Sequence, residues 1–138
     1  MDRGLFETEH DDFRDSVRTF VARELRPRHE QFIEQRALDR EVWRLAGKQG
    51  LLGLEVPERF DGSEAGDYRF NAVLGEELSS LSAAVASCLG IHFDVVAPYL
   101  VELTTDEQKH RWLPGFCSGE LVTAIAMTEP PGDRISRR

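Results

Sequence analysis

Gly119-Glu120-Leu121-Val122-Thr123-Ala124-Ile125-Ala126-Met127-Thr128-Glu129-Pro130 is where this sequence changes character. Upstream, apolar residues recur at helical spacing. Here Leu121 to Met127 form an apolar, partly β-branched run bounded by Gly119 and Pro130, which predicts a strand. An isolated strand leaves its backbone donors and acceptors unpaired. The run therefore reads as the first strand of a sheet whose other strands the sequence does not supply. The expected organisation is a helical domain over 1–119, one strand over 120–130 and a short tail over 131–138.

The upstream residues predict an all-α, bundle-like domain of about six helices. From Thr8 to Leu25, Phe13, Val17, Phe20 and Val21 fall on one stripe of a 3.6-residue period. Thr8 with Asp11 resembles a capping box, and Pro27 is expected to close the helix. A second stretch covers about Glu30 to Ala37. Asp39 then caps Arg40–Gln49, with Val42, Trp43, Leu45 and Ala46 facing inward and Gly50 as the stop. The polar loop from Phe60 to Gly66 is expected to be mobile or to face a ligand. Asp67 opens the next helix, through Leu78. Ser82 starts a run of small residues to Gly90 that is expected to be buried all round. Pro98 starts a short helix, Thr105 with Gln108 caps another through Trp112, and Pro114-Gly115 turns into a last short one ending at Ser118.

Composition narrows the function. With 17 Lys+Arg against 25 Asp+Glu and a net charge of −8, the chain lacks the basic face that nucleic acid requires. Cys88 and Cys117 have no metal-ligand spacing and read as small buried thiols in a reducing compartment. The acidic, polar start predicts no signal peptide, and no apolar run in the sequence reads as long enough to span a bilayer. A cytoplasmic location is expected.

The order of several short motifs adds a family. Phe13 to Val21, then Leu51-Leu52-Gly53-Leu54-Glu55-Val56-Pro57-Glu58, resemble the opening of the acyl-CoA dehydrogenases. So do Thr105-Asp106-Glu107-Gln108-Lys109, Trp112-Leu113-Pro114, Ser118-Gly119-Glu120 and Ala126-Met127-Thr128-Glu129-Pro130. The resemblance runs from about Phe6 to Pro130. It implies an oxidoreductase that desaturates an acyl-CoA thioester at the α,β bond, with hydride passing to FAD and electrons then to an acceptor. It also implies that Ile125, Ala126, Met127 and Thr128 lie along the flavin, through backbone groups near Ile125 and Met127 and the Thr128 hydroxyl near N5. Donors aimed there stabilise the negative charge of a reduced ring. No catalytic base is assigned to this chain, which is expected to be inactive alone as a truncated member. The alternative is a non-catalytic helical module that docks on a full-length dehydrogenase in a homo- or hetero-oligomer.

The resemblance stops at Pro131. The family continues to Gly-Ser-Asp, whereas here Asp133-Arg134-Ile135-Ser136-Arg137-Arg138 follow. A coding stretch for Gly-Ser-Asp-Leu-Ala-Ala read one nucleotide out of frame gives those residues, so a frameshifted, disordered tail is expected.

Other chemistry-bearing residues have plainer readings. His92 at the border of a pocket competes with a hydrogen-bonded core histidine, which is favoured. Glu9-His10-Asp11-Asp12 has metal-ligand types but reads as a solvated helix face. Trp43 and Trp112 lie on apolar stripes and read as packing residues. Glu76 and Glu77 diverge around a helix, so they are not expected to share a proton. Glu129 reads as solvated, and the arginines of the 134–138 tail as solvated too.

Overall fold

A computed structural model describes residues 4–128 of the chain. Among them, seven α-helices appear: α1 (Thr8–Phe20), α2 (His29–Gln35), α3 (Arg40–Lys48), α4 (Arg69–Leu81), α5 (Ala83–Gly90), α6 (Ala97–Leu103) and α7 (Asp106–Ser118). Two π-helical turns, Val21–Leu25 and Ile91–Val96, join some of these into longer rods. The result is five helical rods, over 8–35, 40–48, 69–81, 83–103 and 106–118. The expectation of an all-α domain holds, and the differences from it are local.

Both rod-joining π turns precede a proline. Pro27 and Pro98 lack an N–H and crowd the carbonyl four residues back, so each was expected to mark a helix boundary. A wider turn just upstream lets the helix pass that defect instead. Pro114 lies inside α7, where Leu113, Phe116 and Cys117 are buried on both sides of it. There the packing outweighs one missing backbone bond, so the turn expected at Pro114-Gly115 does not form.

Joining α5 to α6 also makes Ala83–Leu103 a 21-residue apolar rod. By length and composition it is the one described helix able to cross a bilayer, contrary to the sequence expectation. Val85, Leu89, His92, Phe93, Val96 and Ala97 are nevertheless buried in the domain. The small-residue stretch is not buried all round, since Ala83, Ala84, Ser87 and Cys88 are exposed. Small side chains allow close approach, and here α4 approaches from only one side.

Apolar stripes on the rods meet in two cores. In the larger, Val17, Phe20, Val21 and Leu25 from the first rod close on Val42, Ala46, Leu51, Leu52, Leu74, Leu78 and Leu89. Each such side chain contributes about 1.5–3 kcal/mol when removed from water. The smaller core joins Val56, Phe60, Val96, Ala97, Leu113, Phe116 and Cys117, with Ile125 packed against it.

Capping follows chemistry more than the expected register. Thr105 and Gln108 form the predicted reciprocal box, at 2.9 Å and 3.3 Å. At α1 the cap is Glu7 rather than Thr8, and the Glu7 N–H donates to His10 Nδ1 at 3.1 Å. The loop after α3 is folded on itself, not splayed: Ser63, Glu64 and Ala65 donate their N–H groups to the carbonyls of Gly53, Val56 and Leu54. Phe60 is buried beneath it.

Residues 122–128 carry no regular secondary structure, so the expected strand is absent as a strand. A strand exists through its ladder, and no second extended segment pairs with this one among the described residues. Glu129 and the 131–138 tail lie outside the described residues.

Candidate functional site

The extended segment after α7 is held at its start by four different groups. Gly119 ends α7 at φ +76°, the left-handed conformation a helix C-terminus often adopts. The Leu121 N–H donates to the Gly115 carbonyl at 2.9 Å. From α3, Arg40 Nη2 donates to the Glu120 carbonyl at 2.5 Å and Arg44 Nε to Glu120 Oε1 at 2.9 Å. The bond from Arg44, and its charge, hold the Glu120 carboxyl below its ordinary range.

His92 supplies the fourth. Its Nε2 lies 3.1 Å from the Phe116 carbonyl oxygen, which only accepts, so Nε2 carries the proton. Nδ1 then accepts from the Thr123 hydroxyl at 2.9 Å and the Thr123 N–H at 3.3 Å. The ring stacks on Phe116 at 3.8 Å between centroids and meets Trp43 edge-on at 5.3 Å. Burial, only partly offset by the bond to Phe116, drives its pKa down to about 4. His92 is thus a neutral, satisfied core histidine, as favoured from sequence. Its partner across the chain, Thr123, was not foreseen.

Beyond this clamp the segment opens to solvent. Ile125 is half-buried against the smaller core, while Ala126, Met127 and Thr128 are exposed, Met127 at 73%. Beyond Thr123, no described residue hydrogen-bonds the segment's backbone. A short edge of open amide and carbonyl groups, with one hydroxyl at its end, therefore extends from a rigid helical base. It offers those groups to a partner laid along it, and it encloses nothing by itself.

The remaining polar clusters are structural. Glu77 is 8% exposed and accepts from Arg14 at 2.7 Å and Arg18 at 3.0 Å, while Glu76 accepts from Arg14 at 2.9 Å. Burial raises the Glu77 carboxyl, but the two guanidinium bonds outweigh it and hold it low. Two carboxylates clamped by arginines do not share a proton. His10 is fully buried and not on a solvated face, contrary to expectation. It sits near Glu7 and Glu9, but its Nδ1 takes the Glu7 N–H and its Nε2 faces Asp67 at 3.3 Å, which leaves no lone pair open to a metal. Trp43 is buried and Trp112 half-buried. Cys117 is buried and its thiol pushed up to about 12 by desolvation, whereas Cys88 is exposed, contrary to expectation.

Sequence reasoning also missed a cluster centred on Asn71. Its buried amide donates to Glu55 Oε1 at 3.3 Å and Asp94 Oδ1 at 3.0 Å, and the Tyr68 hydroxyl donates to Asp94 Oδ2 at 3.2 Å. Burial first, then Asp94 and Glu102, push the Glu55 carboxyl up. These residues lie on three separate elements, so no local motif announces them.

Residues 7–120 match the family model described as acyl-CoA dehydrogenase, N-terminal domain. The mitochondrial long-chain specific acyl-CoA dehydrogenase of Rattus norvegicus is 41% identical over 132 residues, which cover 93% of this chain and 29% of that protein. The mitochondrial isovaleryl-CoA dehydrogenase of Solanum tuberosum is 35% identical over 91% of this chain and 31% of its own length. Among solved structures, an acyl-CoA dehydrogenase from Geobacillus kaustophilus superposes with TM-score 0.86 at 36% identity, over 91% of this chain and 33% of that one. Another, from Bacillus anthracis and complexed with FAD, gives 0.79 at 31% identity, over 93% of this chain and 22% of that one. The chain thus spans about a third or less of the length of the relatives cited here.

Proposed function

The chain belongs to the acyl-CoA dehydrogenase family, and from that premise we propose that it supplies the helical wall and one flavin edge of an FAD-dependent desaturation of fatty acyl-CoA. The observation that carries this reading is the clamped but open edge at Ile125, Ala126, Met127 and Thr128. A bound flavin supplies the hydride acceptor for α,β-dehydrogenation of an acyl-CoA thioester. The residues here would hold that group: the backbone near Ile125 and Met127 would offer hydrogen bonds to the ring, and Thr128 its hydroxyl. Preset donors of this kind act without reorganisation when charge develops. Ile125, packed on the smaller core, keeps the edge at a fixed distance from the helices.

No residue of this chain is assigned the proton-abstracting role, so turnover belongs to a longer assembly. A single edge gains too few contacts to overcome the association and ordering costs of a cofactor the size of FAD. We therefore expect this chain alone to hold FAD weakly and to lack dehydrogenase activity, with an electron acceptor needed only by the complete enzyme. The 131–138 tail is read as out of family register. A cytoplasmic location is part of the same proposal.

A second reading is a non-catalytic module that docks on a longer dehydrogenase. Exposed Val95, Tyr99 and Leu103, the last at 75%, follow one another along the 83–103 rod and favour such a cover. Gel filtration on a column equilibrated with FAD, with the protein peak's absorbance read against the column buffer, tests the first reading. The expected result is a discrete protein peak with a substoichiometric flavin band. A colourless peak at every FAD concentration speaks against the flavin edge.

A further inference from the structure

His92 does more than fill space. A buried imidazole has polar atoms whose desolvation must be offset by hydrogen bonds, and a phenylalanine would fill the same volume without that requirement. Here both ring nitrogens are used, and they face in opposite directions along the chain. Nε2 is tied to Phe116 inside α7, a rigid reference point, and Nδ1 to Thr123 in the segment that leaves α7.

We propose that His92 is a positioning residue for the edge at Ile125–Thr128, acting through Thr123. The proposal rests on the flavin-edge reading above. Its geometry is a lever. An extended chain advances about 3.3 Å per residue, so Thr128 stands up to about 16 Å beyond the Thr123 anchor. Any rotation at Thr123 is carried outward, and past that residue the restraint on the segment among the described residues is the Ile125 side chain packed on the smaller core. Arg40, Arg44 and Gly115 fix Glu120 and Leu121, which sets where the segment begins but not the direction it takes two residues later. His92 sets the direction. Because the ring stays neutral with its proton on Nε2, the Thr123 bonds keep the same sense at neutral pH.

The test combines three variants with a readout that needs no cofactor. His92→Phe keeps the stack on Phe116 and the edge contact with Trp43 but removes all three hydrogen bonds. His92→Gln restores one donor and one acceptor. Thr123→Val removes only the shorter, hydroxyl bond and leaves the core intact, so it decides the matter where a His92 replacement unfolds the chain. Amide hydrogen exchange in the purified chain should show Thr123 protection falling at least tenfold in His92→Phe. A partial fall is expected in Thr123→Val and partial recovery in His92→Gln, with protection in α3 and α7 unchanged. Unchanged protection at Thr123 in both His92→Phe and Thr123→Val would overturn the proposal.

Titrating the same samples with FAD, and following the amide resonances of 124–128, separates this claim from the one beneath it. If the unmodified chain responds and His92→Phe responds several-fold more weakly, both stand. If both respond with equal affinity, the flavin edge survives and the positioning role fails. If neither responds while the exchange pattern is as expected, the flavin reading fails and the anchoring of the segment by His92 stands.

Discussion

Gly50 and Gly119 offer a matched pair for measuring how tightly the base of the extended segment is built. Both have φ +76°, so an alanine at either meets the same left-handed strain, about 1–2 kcal/mol. Their surroundings differ. A Cβ at Gly50 meets only Ser63 Oγ, at 3.8 Å, an ordinary contact. At Gly119 it falls 2.1 Å from the Trp43 carbonyl oxygen and 3.0 Å from the Arg44 N, both backbone atoms of α3. The helix crossing must open by more than about an ångström to admit it, and overpacking of that kind costs about 1–3 kcal/mol or more. Alanine also restricts the unfolded chain, which returns about 0.4–1 kcal/mol in each case. Gly50→Ala should therefore cost about 1 kcal/mol and Gly119→Ala about 2–4 kcal/mol. At about 3–5 °C per kcal/mol for a domain of this size, the melting temperatures should differ by roughly 3–15 °C. Thermal unfolding followed by circular dichroism reads this directly. Equal melting temperatures for the two variants would refute the close crossing of α3 and α7. A Cβ at Gly47 meets Ser118 at 2.3 Å in the same crossing, so Gly47→Ala combined with Gly119→Ala should cost less than the two single changes added together.

Glu77→Gln should destabilise the chain by about 2 kcal/mol at neutral pH, because Arg14 and Arg18 lose the charge they surround. The Glu77 pKa is lowered on folding, so its contribution is complete above the ordinary value of 4.5 and is lost as pH falls through the lower folded value. Denaturant melts across acid pH should show the variant losing that part of the slope. Glu55→Gln should act the other way, stabilising by about 0.5–1 kcal/mol at neutral pH: its pKa is raised by burial, Asp94 and Glu102, so charging it as pH rises weakens the fold. That gain should shrink in melts at acid pH, where Glu55 is already protonated. A thiol reagent should titrate Cys88 alone in the folded chain and both cysteines after denaturation, read as one against two equivalents of released chromophore.

The helices were legible because their apolar residues repeat at 3.6, as in Val17, Phe20 and Val21, and because Thr105 and Gln108 form a local box. Boundaries at Pro27, Pro98 and Pro114 were not. Whether a proline ends a helix or is absorbed by a π turn depends on packing from other rods, and no short window contains that. The run after α7 shows the same dependence on what lies elsewhere, since it is extended but unpaired among the described residues. The run from Leu121 to Met127 has strand composition, but a strand requires a partner, and composition does not provide one. Within the candidate site, Ala126 to Pro130 resembles a family motif, from which the flavin role of Ile125–Thr128 is proposed. The His92–Thr123 bond spans 31 residues and the Asn71–Asp94 bond 23, and side-chain pairs at such separations leave no periodic trace.

Ile125–Thr128 is proposed as a flavin edge carried on the helical domain. A residue-resolved titration of the isotope-labelled chain with FAD tests it most directly. Saturable shifts confined to the amides of 124–128, reached only at high FAD and with the helical resonances unmoved, are expected. Shifts scattered over the helices, or none on the segment at any concentration, would contradict it.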